Sequence, residues 1–304
     1  MNKCGIFFLS LLLFFCTLTV TAAQAEENAP AAPAGKPEAP AADKETFPPW
    51  SASVESAWLP ESGSRDVGGK VGMEEVEVKL GRTHVVTPRL SLLTELGYSL
   101  RHISAPAGAR LPEELHALTA SLGSNYQATK SLALNFLVAP GLRSDFKAIG
   151  ADDLRVLLAF LGRYSPSEKL TLLAGLIYLE GYRSVPFLPI AGAIYRPDEH
   201  WTISLAAPRP GVSYAPDRTK RFYIGGEFAG GEYQLHDAAL GAKIINYSNF
   251  RAFAGAGFTL FSAVNVNLSG GYAFARRFAF FDGFRKDINV DDAPFARLGV
   301  KVDW

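Results

Sequence analysis

The stretch that most constrains this chain is its last eleven residues, Pro294 to Trp304. Trp304, Val302, Val300, Leu298 and Ala296 alternate with Asp303, Lys301, Gly299, Arg297 and Phe295. That period of two predicts a strand with one apolar and one mostly polar face, running to the final residue. Chain ends in water are usually frayed and polar. An amphipathic strand closed by an aromatic residue therefore requires an apolar surrounding on one side and hydrogen-bonded neighbours along its edges.

The rest of the chain supplies such neighbours. From Ser51 onward, strand patterns follow one another: Ala52–Leu59, Met73–His84, Arg89–His102, Leu115–Gln127, Ser131–Ala139, Leu154–Tyr164, Leu170–Leu179, Phe187–Tyr195, Trp201–Ala207, Phe222–Phe228, a segment within Tyr233–Asn246, Phe250–Leu260, Val264–Phe274 and 295–304. The count is about 14, with about 12 as the alternative, because the pattern within Tyr233–Asn246 is weak. Short connections (Val86–Pro88, Ala128–Lys130, Ser165–Glu168, Arg196–His200, Ser262–Ala263) alternate with longer ones (Pro60–Gly72, Ser104–Pro112, Gly141–Asp152, Gly181–Pro186, Pro208–Lys220, Arg276–Pro294). The alternation fails only across 229–249. Tyr98, Tyr126, Tyr164, Tyr178, Tyr195, Trp201 and Trp304 fall at or near strand ends, where an amphipathic ring can sit at a membrane interface. Two helices over Leu154–Leu161 and Leu170–Leu179 are the competing reading, but Gly162 and Gly175 interrupt them and their neighbours are period-two.

The amino end has a different character. Lys3, the apolar run Ile6–Val20 and Ala23-Gln24-Ala25 have the layout of a secretory signal peptide over residues 1–25. Residues 26–49 form an Ala/Pro-rich linker, extended and unable to build a core. Both cysteines, Cys4 and Cys16, lie in the expected signal, so no disulfide is expected in the mature protein. Thirty basic and thirty acidic residues balance, which argues against a nucleic-acid partner. Beyond the signal, no apolar run approaches the ~20 residues of a spanning helix, whereas the strand patterns match the ~9–11 residues of a tilted membrane strand.

On these features, residues 50–304 resemble a bacterial outer-membrane β-barrel of the porin-like kind. Trp304 and the alternation before it look like the closing strand of such barrels. The resemblance implies an all-β fold, an antiparallel transmembrane β-barrel, located in the outer membrane of a Gram-negative cell. It implies the barrel assembly machinery as a partner that reads Leu298, Val300, Val302 and Trp304, and lipid and lipopolysaccharide as surroundings. An oligomer is compatible with the resemblance, but no feature identifies an interface.

With the apolar face toward lipid, the other face fills or lines the lumen. It carries Glu75, Glu77, Lys79, Glu95, Arg101, Arg155, Arg163, Lys243, Arg297, Lys301 and Asp303, interspersed with glycine and alanine. Buried charges must be paired or hydrated, so the interior is either wet or cross-braced. Mixed signs argue against a strongly ion-selective ring. The function expected is a passive channel for small polar solutes, with no cofactor, metal or catalytic residue. Two alternatives stay open. One is an outer-membrane enzyme hydrolysing lipid or peptide at a rim formed by His102, His116, Glu113 and Glu114. The other is a non-conducting barrel acting through its outer loops. Arg276, Arg277, Arg285 and Lys286, interleaved with Phe278, Phe280, Phe281 and Phe284, make a basic-aromatic segment that either meets lipopolysaccharide or folds inward as a constriction. The glycine-rich stretch Gly63–Lys70 lacks the Ser or Thr and the following helix of a phosphate loop, and reads as an outer loop.

Overall fold

The computed structural model describes residues 49–183, 186–207 and 209–304. The expected signal peptide and nearly all of the linker lie outside the described residues. The chain forms β1 (Trp50–Ser64), β2 (Gly69–Thr87), β3 (Leu90–Ser104), β4 (Glu114–Gln127), β5 (Leu132–Ser144), β6 (Leu154–Ser167), β7 (Leu170–Glu180), β8 (Phe187–Tyr195), β9 (Trp201–Ser204), β10 (Gly211–Asp217), β11 (Lys220–Gln234), β12 (Ile244–Leu260), β13 (Val264–Phe281), β14 (Ile288–Val290) and β15 (Ala293–Asp303). Each of β1 to β13 pairs antiparallel with the next. β15 pairs with β13 on one side and β1 on the other, which closes a 14-strand antiparallel barrel. β14 is a short flap on the outer end of β13. Closure gives the terminal strand the two neighbours it requires. Trp50 and Trp304 exchange both backbone N–H···O bonds, each 2.9 Å.

Both ends of the barrel strand order therefore meet at one rim, together with the short turns that join β2 to β3, β4 to β5, β6 to β7, β8 to β9, β10 to β11 and β12 to β13. Asp217 ties the tight β10–β11 turn, its Oδ1 accepting from the Thr219 backbone N–H at 2.8 Å. Asp198 does the same before β9, accepting from His200 N at 2.8 Å and Trp201 N at 3.0 Å. In outer-membrane barrels this is the periplasmic rim.

The strand total stands, but two segments differ from the sequence reading and their differences cancel. Pro208–Lys220 is not one long loop: Gly211–Tyr214 pairs with Trp201–Ser204 and with Phe222–Gly225. Pro210 and Pro216 flank that laddered segment and leave its register intact. Conversely, Tyr233–Asn246 is not a separate strand. Tyr233 and Gln234 end β11, Ile244 begins β12, and between them Asp237 caps a single 3-10 turn that Gly241 ends at φ 72°. With these corrections the two successive short connections across 229–249 disappear, and a nine-residue connection, 235–243, joins β11 to β12.

Outward-pointing residues form the apolar band. Leu96 (60% exposed), Ile224 (62%) and Leu298 (50%) have no protein cover, an arrangement that only a lipid surround makes favourable. Tyr126, Tyr164, Tyr195, Trp201, Tyr214 and Trp304 form an exposed belt near the short turns, and Trp58, Tyr98, Phe187 and Tyr272 a second one toward the other rim.

The outer third is built differently. β9 has four residues and β10 seven, fewer than the ~9–11 a spanning strand needs. Above them β11 leaves the wall and crosses to β5, where Gln234 pairs parallel with Ser144. The outer halves of β11 and β12 are accordingly buried on both faces, from Glu227 to Gln234 and from Ile244 to Asn249. They pack into an apolar cluster that includes Tyr233, Ile245, Tyr247, Phe278, Ile288 and Val290. Phe278 reaches it through a β-bulge. Ala275, at φ 53°, sits where the β12–β13 register shifts between Ser248 and Phe250. Below the bulge Ala273 points inward; above it Arg276, Phe278 and Phe280 do, because one extra residue reverses the side-chain phase.

The β10 assignment is directly testable. With the two native cysteines replaced, Val212→Cys is expected to react with a lipid-soluble maleimide and resist a charged one, and Ser213→Cys to show no preference for the lipid-soluble reagent. Equal behaviour at both positions would mean that the segment is a loop.

Candidate functional site

Strand alternation puts the polar face of β1, β2, β3, β11, β12 and β15 into the lumen, and there the charges meet across the barrel. Arg251 on β12 donates from Nη2 to Glu75 on β2 at 2.8 Å, and its Nη1 lies 3.7 Å from Glu227 on β11. Glu75 also accepts from Arg101 Nε at 3.1 Å. Glu227 is the hub. It accepts from both terminal nitrogens of Arg297, and from Arg209 Nε at 2.8 Å. Arg297 Nε lies 3.4 Å from Glu55. Phe253 and Phe295 lie between the guanidinium planes: Arg251 and Arg297 stand over Phe295, and Arg209 and Arg297 over Phe253. The network runs as a chord from β3 to the β9–β10 connection. It satisfies charges that the low-dielectric interior would otherwise make prohibitive.

Glu75 and Arg297 belong to this network. Glu77 and Lys79 pair at 3.0 Å toward the short-turn rim, where Lys301 and Asp303 pair at 2.9 Å and Glu95 lines the same cavity. Arg155 on β6 lies 3.8 Å from Glu232 of the crossing β11. Arg163 occupies the inward register of β6 opposite Ala133. Lys243 is a correction: it is exposed in the β11–β12 connection outside the lumen, because the strand assumed through Tyr233–Asn246 does not exist. Leu298, Val300 and Trp304 lie exposed on the outer face of the terminal strand. Glu227, Arg251, Arg209, Arg143 and Glu232 were missed. Glu227 and Arg251 were open to detection, since each shares its strand's inward phase with a glycine or Phe253. Arg209 and Glu232 reach the site only through the corrected backbone.

The opposite wall, β5 to β8, carries a patch of apolar side chains inside as well as outside, beside the inward Arg143, Arg155 and Arg163. Ala139, Leu157, Ile177, Leu179, Leu188 and Ile190 form an inner cluster, which explains why these segments read as apolar on both faces. Between the two walls lies a cavity of about 140 Å³, lined by seven basic and five acidic side chains and by small residues including Ala117, Ala139, Gly141 and Ala229.

Polar contacts fasten the outer mouth. Asp145 accepts from the backbone N–H groups of His236 (3.0 Å) and Asp237 (3.3 Å), and His236 Nε2 meets Asp153 at 2.6 Å. Lys147 donates to Asp237 at 3.2 Å. The Ala239 backbone N–H, then Lys147, hold the Asp237 carboxyl below its ordinary value of 3.8. Its contribution to this clasp is therefore complete above pH 3.8 and lost only as the pH falls through the depressed value. The basic-aromatic segment folds inward in part: Phe278 and Phe280 are buried, and Arg285 donates to the carbonyls of Ala109, Arg110 and Leu240. Burial, with Arg110 nearby, lowers the Arg285 guanidinium to about 10, so it stays charged at neutral pH. Phe284 remains fully exposed.

His102, Glu114 and His116 do come together, but on the outward face of β3–β4. Glu114 lies 3.9 Å from His102 Nδ1 and 3.4 Å from His116 Nε2; Tyr98 Oη lies 2.8 Å from His116 Nδ1, and Phe146 stacks on the His116 ring. Among the described residues, no group of three His, Cys, Asp or Glu side chains could hold a metal ion.

No protein-family model matches the chain, and no curated protein matches it. Solved structures do. An outer-membrane channel from Pseudomonas putida F1 is 15% identical, covering 88% of this chain and 100% of its own, with a TM-score of 0.46. A deletion mutant of the monoaromatic hydrocarbon channel TodX is 10% identical over 84% of this chain and 90% of its own, TM-score 0.47. The translocator domain of the autotransporter NalP from Neisseria meningitidis is 14% identical over 86% and 90%, TM-score 0.40. The barrel assignment rests on the strand pairing itself.

Glu227→Gln leaves three guanidiniums without their shared carboxylate. Breaking one buried ion pair costs about 3–5 kcal/mol, so the variant is expected to unfold at clearly lower temperature than wild type, read from the loss of the fast-migrating folded band on unboiled gels. An unchanged transition would mean that the network is too hydrated to brace the barrel.

Proposed function

We propose that this outer-membrane β-barrel is a passive channel for small polar solutes. The observation that carries the reading is the cavity between the charged wall and the apolar wall. A barrel serving only as a scaffold has no use for small residues at facing positions such as Ala117, Gly141 and Ala229 that leave room inside. The route is narrow. The Glu75–Arg251–Glu227 chord divides the lumen, and the β11–β12 hairpin roofs much of the outer mouth. The slight excess of basic over acidic lining favours anions weakly. In this reading residues 1–25 direct export and 26–49 tether the barrel. The assembly machinery reads Leu298, Val300, Val302 and Trp304, and membrane lipid and lipopolysaccharide surround the band.

The burial of the outer hairpin on both faces favours a second reading, a non-conducting barrel that works through its outer loops. Bilayer recording separates the two. Purified protein is expected to give small, steady current steps in a planar bilayer. Replacing 282–287 by glycine and serine removes the Arg285 anchor and is expected to give larger ones. Silence in both proteins would overturn the channel and leave the non-conducting barrel.

A further inference from the structure

Five arginines are nine-tenths buried among the described residues: Arg143, Arg155, Arg251, Arg276 and Arg297. Four have acceptors. Arg251 and Arg297 bind the glutamates of the network, Arg155 binds the Asp152 carbonyl at 2.5 Å and lies near Glu232, and Arg276 binds the Asp291 carbonyl at 3.2 Å. Arg143, on β5 and 9% exposed, has none among the described residues. Its guanidinium stands over the face of the Tyr233 ring, 5.8 Å from the centroid. Arg101 stands over the same ring at 5.6 Å. A buried guanidinium without a counter-charge is costly, and an unpaired ionisable group inside a membrane protein points to a ligand by default.

The surroundings of Arg143 are shaped to leave that place open. It projects into the 140 Å³ cavity, where Ala117 lies opposite it on β4 and Gly141 is the next inward residue along β5. A Cβ built on Gly231 would lie 2.9 Å from Arg143 Nη1 and 3.3 Å from the Tyr233 hydroxyl, so the absence of a side chain there keeps the guanidinium and the phenol adjacent. The Tyr233 hydroxyl is itself buried without a hydrogen-bond partner. That hydroxyl is sealed from the cavity, so the Arg143 guanidinium is the donor that faces it, and Leu137, Ala139 and Leu157 line it on another side.

We infer that this cavity is a binding site for a small organic carboxylate, held by Arg143 with its carbon body against Leu137, Ala139 and Leu157. A guanidinium fork matches a carboxylate's two oxygens. The size matches too: a cavity of about 150 Å³ holds benzene, six heavy atoms, as many as butyrate. The inference rests on the channel reading for its purpose, since it names the class of solute that pauses in the lumen, but the site itself is testable without conduction.

The test is saturation-transfer NMR of detergent-solubilised full-length protein with butyrate, beside 1-butanol as the uncharged counterpart. Wild type is expected to show saturable butyrate binding at least tenfold tighter than butanol binding. Arg143→Gln is expected to lose at least tenfold, Arg143→Lys to keep part of the affinity, and Gly231→Ala, whose Cβ would crowd Arg143 Nη1, to weaken binding. Folded variants are recognised by wild-type gel mobility without boiling, and Arg143→Lys guards against a folding defect. Equal affinity for butyrate and butanol, no saturable butyrate binding, or undiminished binding in folded Arg143→Gln would each overturn the site. Current steps without butyrate binding would overturn the site and leave the channel. Butyrate binding without current steps would leave the site and overturn the channel.

Discussion

Backbone hydrogen bonding in a medium without water is the constraint on which everything else here depends. A strand in lipid cannot leave N–H and C=O groups exposed along its edge, so the β1–β15 ladder, from Ser51↔Asp303 to Trp58↔Ala296, decides whether the protein exists as a barrel at all. Once that seam closes, the alternation of each strand has one consequence outside and another inside. Outside, Ile224, Leu96 and Leu298 need only be apolar. Inside, a polar side chain has to find a partner across the ring or face the cavity, and the partners available are other inward residues on strands across the barrel.

The salt-bridge network is the product of that second demand. Arg251 and Glu227 come from adjacent strands, but Glu75 and Arg297 come from strands separated from them around the ring. Their meeting shortens the span of the lumen and ties the β1–β3 sector to the β11–β12 sector. The same braces that make buried charge tolerable also narrow the path for any solute. Small residues offset this by keeping space on the β4–β5 side. The interior is therefore divided into a braced half and an open half.

How much of this could be read from the residues follows from how local each feature is. Period-two alternation is local, and it gave the fold class, the terminal strand and most inward charges, including Glu75, Arg155 and Arg297. Two kinds of feature were hidden. Phase reversals need a backbone irregularity: nothing in Ala273-Phe274-Ala275-Arg276 announces that a residue at positive φ will turn Phe278 into the interior. Long-range crossings need the closed ring: β11 lies buried on both faces because β9 and β10 are short, and that shortness depends on where Pro210 and Pro216 fall relative to a ladder whose register is not local. The misplacement of Lys243 and the omission of Arg209 and Glu232 share this origin.

The crossing of β11 onto β5 also explains why an unpaired arginine can persist. Arg143 lies one residue before Ser144, the point at which Gln234 pairs, so its backbone is held by both the barrel wall and the crossing strand. Tyr233, the residue before Gln234, brings its ring against the guanidinium from the crossing side. A flexible loop arginine would relieve its isolation by turning toward water or toward Glu232. Here the wall fixes the Cα, the Tyr233 ring fixes the guanidinium plane, and Glu232 is engaged by Arg155 and the Arg183 backbone N–H. The cation is thus held in place by the architecture that closes the outer mouth. Occupancy of the cavity by an anion would bear on the contact between β5 and β11, and through it on the roof.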